Sequence, residues 1–109
     1  ARVNRATEVG TSWITLWEAA CGISRKTGNS AEGELKNVLA FCATGFIEVH
    51  AEDAGLAQLA LSAFDRYGRR SGHPARLNMG DCFSFAFAKR HGETLLYTGN
   101  DFAAIAELG

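Results

Sequence analysis

Apolar residues recur at helical spacing along most of the chain, and glycines punctuate the pattern. Residues 16–23 form an apolar-rich run followed by Arg25, Lys26, Thr27 and Gly28. Cations in a last turn and a glycine just beyond it mark the end of a first helix. Leu35, Val38, Leu39 and Cys42 stand at i, i+3, i+4 and i+7, one buried stripe of a second helix that Gly45 closes. The longest helix is expected over 52–70, where Leu56, Leu59, Ala60, Ala63 and Tyr67 make a stripe and Glu52 and Asp53 put negative charge at the helix start. Residues 81–91 carry Cys82, Phe83, Phe85, Ala86, Phe87 and Ala88 on nearly every side, which predicts a buried helix ending in Lys89, Arg90, His91 and Gly92.

Three short stretches read as strands: 8–12, 46–50 (alternating from Ile47 onward) and 94–98. Gly99-Asn100 reads as a turn, and 101–108 as a short terminal helix. Strands alternating with helices of this length predict an α/β fold, a narrow parallel sheet with helices on both faces. With 109 residues, 47% of them hydrophobic and 21% charged, the chain suits one packed domain over 1–109. No apolar run approaches the roughly 18–20 residues that span a bilayer, so a soluble, cytoplasmic protein is expected. A net charge of −1 provides no bulk attraction to nucleic acid, so any RNA or DNA partner would have to be engaged by a local patch or through metal.

The chemistry narrows by elimination. Cys21, Cys42 and Cys82 are an odd number at wide spacing inside apolar helical patterns, which reads as buried small hydrophobes and not as a disulfide scaffold. His50, His73 and His91 stand apart, without zinc-ligand spacing. No glycine-rich nucleotide loop is present, and Ser12 and Ser84 have no readable triad partners. Trp13 and Trp17, four residues apart at a helix start, are expected to pack into the core.

Three of the twelve acids, Glu18, Asp81 and Asp101, stand at helix starts where a site could form. In parallel sheets ligands bind beyond the carboxyl ends of strands, where Glu18 and Asp101 fall. Each acid also has a capping explanation. Thr15-Leu16-Trp17-Glu18 matches a capping box, and Asp81 and Asp101 sit where N-cap aspartates would. Were the three to converge, their repulsion would call for a cation, and an all-carboxylate set suits Mg²⁺ or Mn²⁺. Such a site lowers the pKa of a bound water and stabilises charge on a phosphodiester, which makes phosphodiester hydrolysis the reaction class. Arg66, Arg69, Arg70, His73 and Arg76 form a basic stretch that could serve as a phosphate-contacting rim or as a solvated helix end.

Residues 77–89 with their Gly80-Asp81-Cys82 core, 95–102 with Gly99-Asn100-Asp101-Phe102, and 12–19 around Glu18 resemble PIN-domain ribonucleases, in particular the VapC toxins of bacterial toxin–antitoxin modules. The resemblance implies a PIN-like three-layer fold and a carboxylate pocket that binds Mg²⁺ or Mn²⁺ and cleaves RNA. Glu18, Asp81 and Asp101 would be the catalytic and metal-binding residues, with Arg69, Arg70 and Arg76 contacting substrate phosphate. It also implies a cognate antitoxin and a homodimer. Nothing in residues 1–10 matches the family's opening strand with its aspartate motif, and Asn100 stands where many relatives carry a further acid. The expectation is therefore that the opening strand, placed in the middle of the family's sheet, and its helix are absent, and that the 109 residues alone cleave RNA weakly or not at all. The alternative from another class is a PIN-like module without chemistry that acts only in partner binding.

Overall fold

The computed structural model describes residues 8–92 and 95–108. In chain order the elements are β1 (Val9–Ser12), α1 (Trp13–Thr27), α2 (Ala31–Thr44), β2 (Glu48–His50), α3 (Ala54–Tyr67), α4 (Met79–His91), β3 (Leu95–Leu96) and α5 (Gly99–Leu108). The strands form one parallel sheet in the order β2-β1-β3. Tyr97 N–H donates to the Gly10 carbonyl at 2.7 Å and the Thr11 hydroxyl to the Tyr97 carbonyl at 2.9 Å, extending the β1–β3 pairing beyond the formal strand. Because β3 bonds directly to β1, no strand stands between them among the described residues.

Helices pack in two apolar clusters. Leu16, Ala19 and Ile23 of α1, Val38 and Cys42 of α2, Ile47 just before β2, and Phe102 of α5 form the first, with Val9 and Val49 of the sheet against it. Leu56, Ala60 and Ala63 of α3 meet Cys82 and Ala86 of α4 in the second. Phe87 of α4 is buried against His50 at the end of β2, ring centroids 5.3 Å apart. Buried Glu34 takes hydrogen bonds from Thr27, Asn29 and Asn37 at the α1–α2 turn, and these hold its carboxyl below the ordinary range.

Several expectations change in three dimensions. The long helix is shorter than 52–70 because Asp53 is extended and caps it by accepting from Leu56 N–H at 2.9 Å. At its other end Phe64 covers Gly68 so closely that no Cβ fits there, and the chain leaves the helix extended. Glu52, read as part of that helix's charged start, instead accepts from the Ile14 N–H at 3.1 Å and so serves the first turn of α1. Helix α4 is not buried all round: Met79 and Phe85 are exposed, as are Asp81, Ala88, Lys89 and Arg90. Phe46 stands outside the strand with φ 57° and its side chain in solvent. Trp13 and Trp17 are exposed instead of joining the core, and Cys21 is only partly buried, while Cys42 and Cys82 are buried free thiols. Gly99 and Asn100 are the first turn of α5, not a turn before it. The expected strand residue Thr94 lies outside the described residues. No described helix is long and apolar enough to cross a membrane.

Candidate active site

Helix α1 starts one turn earlier than the Thr15 capping box would have it. Ser12, extended at φ −133°, is the N-cap, its hydroxyl accepting from Thr15 N–H at 3.3 Å. Thr15 is thereby inside the helix, and Glu18, relieved of any capping duty, projects from the second turn into a cleft. That cleft, about 590 Å³, is lined by Glu18 and Gly22 of α1, Gly80, Asp81 and Ser84 of α4, and Thr98, Gly99 and Asn100 at the start of α5. It sits where the first turns of α4 and α5 approach α1, beyond the carboxyl ends of β1 and β3.

Asp81 is not an N-cap but the third residue of its helix, in a reciprocal capping box. Asn78 accepts from Asp81 N–H at 2.9 Å while Asp81 accepts from Asn78 N–H at 3.1 Å. This fixes the side-chain direction of Asp81, an exposed residue that lines the cleft. Asp101 makes the same arrangement with Thr98: its Oδ2 accepts from Thr98 N–H at 2.8 Å and from the Thr98 hydroxyl at 3.0 Å, and Asp101 N–H returns to that hydroxyl at 3.3 Å. Of the three acids, the structure therefore brings Glu18 and Asp81 into the cleft lining. Asp101 lies one residue past Asn100, its carboxylate turned to the α5 cap.

The electrostatics of the pair follow from this placement. Glu18 is partly buried, and burial first and the Asp81 charge second push its carboxyl above the ordinary value of 4.5. Such a shift records a carboxylate held where its charge is poorly solvated and faces a like charge. Gly80 makes the approach possible. A Cβ there would lie 2.6 Å from the Glu18 carboxyl carbon and 2.8 Å from its Oε1, so any side chain would displace the carboxylate.

The basic residues singled out from sequence do not line the cleft. Arg69, Arg70 and Arg76 are exposed between α3 and α4, and the cations that line it are Arg25 and Lys26. These two were read only as cations of a last helical turn. Glu18, Gly22, Arg25 and Lys26 stand at i, i+4, i+7 and i+8, one face of α1, and that spacing was the available signal. The histidines are also less solitary than their spacing suggests, since His50 and His91 pack with ring centroids 4.3 Å apart.

The donors suit a hard cation. Two carboxylates flanked by the oxygen-bearing side chains of Thr15, Ser84, Thr98 and Asn100, with no thiol or imidazole, match the preference of Mg²⁺ or Mn²⁺ for one or two carboxylates and several waters. Among the described residues no three of His, Cys, Asp or Glu cluster closely enough to hold a metal by themselves.

The sequence profile of the PIN domain matches residues 1–108. The chain belongs to the PIN domain family. Among similar proteins, Ribonuclease VapC42 of Mycobacterium tuberculosis is 55% identical over 56 residues, 51% of this chain and 43% of that protein. VapC ribonuclease R02377 of Rhizobium meliloti is 61% identical over 44 residues, 40% of this chain and 31% of that protein. Ribonuclease VapC30 of Mycobacterium tuberculosis is 39% identical over 91 residues, 84% of this chain and 66% of that protein. The PIN chain thus spans less than half the length of the first two relatives. No solved structure matches it significantly.

Proposed function

We propose that this PIN domain carries the site of a VapC-type endoribonuclease toxin that hydrolyses RNA phosphodiester bonds with Mg²⁺ or Mn²⁺. The observation that carries this reading is the convergence of Glu18 and Asp81, from helices far apart in sequence, on one cleft where Glu18 is held against its ionisation preference. Glu18 and Asp81 would hold the cation. Asp101, at the start of α5 one residue past the cleft-lining Asn100, would add negative charge to the site. Held there, a cation would supply a lowered pKa for bound water and charge stabilisation on the phosphate. Arg25, with Lys26 beside it, is placed to orient a phosphate entering the cleft, and Arg69, Arg70 and Arg76 would guide the chain from outside. The resemblance also implies a cognate antitoxin, a second copy as dimer partner, and a cytoplasmic setting.

The test is Mn²⁺ titration by calorimetry alongside cleavage of single-stranded RNA, on wild type, Glu18→Gln and Asp81→Asn. Asn at 81 keeps an acceptor for the capping box, so a loss would reflect the lost charge. Binding and cleavage that both fall at least tenfold in each variant support the site, whereas unchanged Mn²⁺ affinity in both removes it. The second reading, a PIN-like module that acts only in partner binding, is favoured by one observation: the Asp101 carboxylate is committed to its helix cap. It predicts no Mn²⁺ affinity dependent on the three acids.

A further inference from the structure

A second groove runs where α3 meets the C-terminal half of α4, and its chemistry differs from that of the cleft. About 190 Å³ in volume, it is lined by Leu59, Ser62, Arg66 and Tyr67 from α3 and by Phe85 and Lys89 from α4. Phe85 is 39% exposed, an unusual state for a phenyl ring beside a packed cluster. Tyr67 lies 5.8 Å from it and His73 4.9 Å from Tyr67, centroid to centroid, so three rings follow one another along the surface. Lys89 Nζ stands 5.8 Å from the Phe85 centroid. Among the described residues neither Arg66 nor Lys89 has a carboxylate partner. The chain from 66 to 80 holds Arg66, Arg69, Arg70 and Arg76 and no acid at all.

A partly exposed ring with one cation over it and a second beside it, neither with a carboxylate partner among the described residues, fits a ligand that is flat and aromatic at one end and anionic at the other. A peptide anchor would need only the apolar part, and a duplex backbone only the charge. An unpaired nucleotide needs both, its base stacking on the ring and its phosphate meeting the cations. The groove is also aligned with the cleft. Asp81, Phe85 and Lys89 follow at i, i+4 and i+8 along one side of α4, which places Phe85 about 6 Å and Lys89 about 12 Å along the axis from Asp81.

We propose that this groove is a base-stacking subsite for single-stranded RNA, holding a nucleotide next to the one whose phosphate enters the Glu18–Asp81 cleft. Phe85 supplies the stacking face, with Tyr67 at its edge, and Arg66 and Lys89 contact the flanking phosphate. The inference rests on the reading of the cleft as an RNA-cleaving site, but binding can be read without cleavage.

The experiment measures anisotropy of a labelled, short, mixed-sequence oligoribonucleotide with the full chain in EDTA, so that metal chemistry is silent. Phe85→Leu keeps apolar volume and removes the π face. It should weaken binding roughly 5- to 150-fold while leaving the melting temperature unchanged, and Phe85→Trp should restore or exceed wild-type affinity. Lys89→Gln should weaken binding and lower the salt slope by about 0.7. Wild-type affinity in Phe85→Leu overturns the proposal, as does an equal loss for blunt duplex RNA or failure of the wild type to bind RNA. So does a sedimentation mass that halves in Phe85→Leu, which would put a second copy of the chain in the groove. Phe85-dependent binding by a chain that does not cleave with Mn²⁺ supports the subsite and counts against the catalytic reading alone.

Discussion

Gly80→Ala separates what the fold needs from what the cleft needs. Gly80 is an ordinary right-handed residue in the first turn of α4, not one of the positive-φ glycines, so alanine fits the backbone and contributes up to about 1 kcal/mol of helix propensity. The added Cβ, however, would come within 2.6 Å of the Glu18 carboxyl carbon. Carbon atoms in contact sit at about 3.5–4.0 Å, so that carboxyl must retreat by roughly 1 Å. Glu18 is long and partly exposed, and swinging it outward also relieves its crowding with Asp81, so the retreat is inexpensive for stability. A displacement of roughly 1 Å in a positioned group costs on the order of 100-fold in rate. The expected result is a melting temperature unchanged or raised by up to about 4–8 °C, with Mn²⁺-dependent RNA cleavage down about 100-fold. Thermal melting by circular dichroism and a fluorogenic RNA substrate measure the two. Where wild type cleaves measurably, a variant rate within twofold of it refutes the placement of the Glu18 carboxylate, and an unchanged Mn²⁺ affinity does so in either case. A melting temperature lowered by more than about 5 °C refutes the claim that the carboxylate can yield.

Glu18→Gln should stabilise the metal-free chain at pH 7 by about 1 kcal/mol, a figure discounted for a partly solvated pair. Because its folded pKa is raised above 4.5, the Glu18 contribution is full below that value and lost as pH rises through the folded pKa. The gain should therefore vanish at pH 4, and equal melting differences at both pH values would contradict the assignment. Asp101→Ala should cost about 1 kcal/mol by opening the α5 capping box, whereas Asp101→Asn should stay within about 0.5 kcal/mol. If Asp101 adds charge to the cleft, Asn there lowers cleavage at least tenfold, and full activity would leave it as a capping residue only. His91 is held below its ordinary 6.5 by burial, then by His50 and Arg90, against the weaker opposite pull of Glu48 and Asp53. Stability is thus complete above 6.5 and falls as pH drops through the folded pKa, and His91→Gln should flatten that fall in urea titrations between pH 7 and 5. An unchanged slope would show that the His50–His91 contact bears no proton-linked strain.

Local order was legible in the chain because it is written in spacings of three and four residues. The stripe of Leu35, Val38 and Cys42, the stop at Gly28 and the three parallel strands depend on near neighbours and on the burial of one face, and each is found in the structure. The acids at helix starts were visible for the same reason, since capping is a short-range event. Which of them face each other was not. That Ser12 and not Thr15 caps α1, leaving Glu18 to the cleft, depends on the strand before it and on Glu52 reaching Ile14 from 38 residues away. Exposure of Trp13, Trp17 and Phe85 depends on where neighbouring helices end, information a periodic pattern does not hold. Family resemblance pointed to three carboxylates together with one metal. The packing of α1 against the first turns of α4 and α5 put two of them in the cleft, tied the third to its own cap, and added Arg25 and Lys26. A sequence determines its short-range hydrogen bonds nearly residue by residue, but the convergence of groups far apart in the chain exists only once the helices have packed.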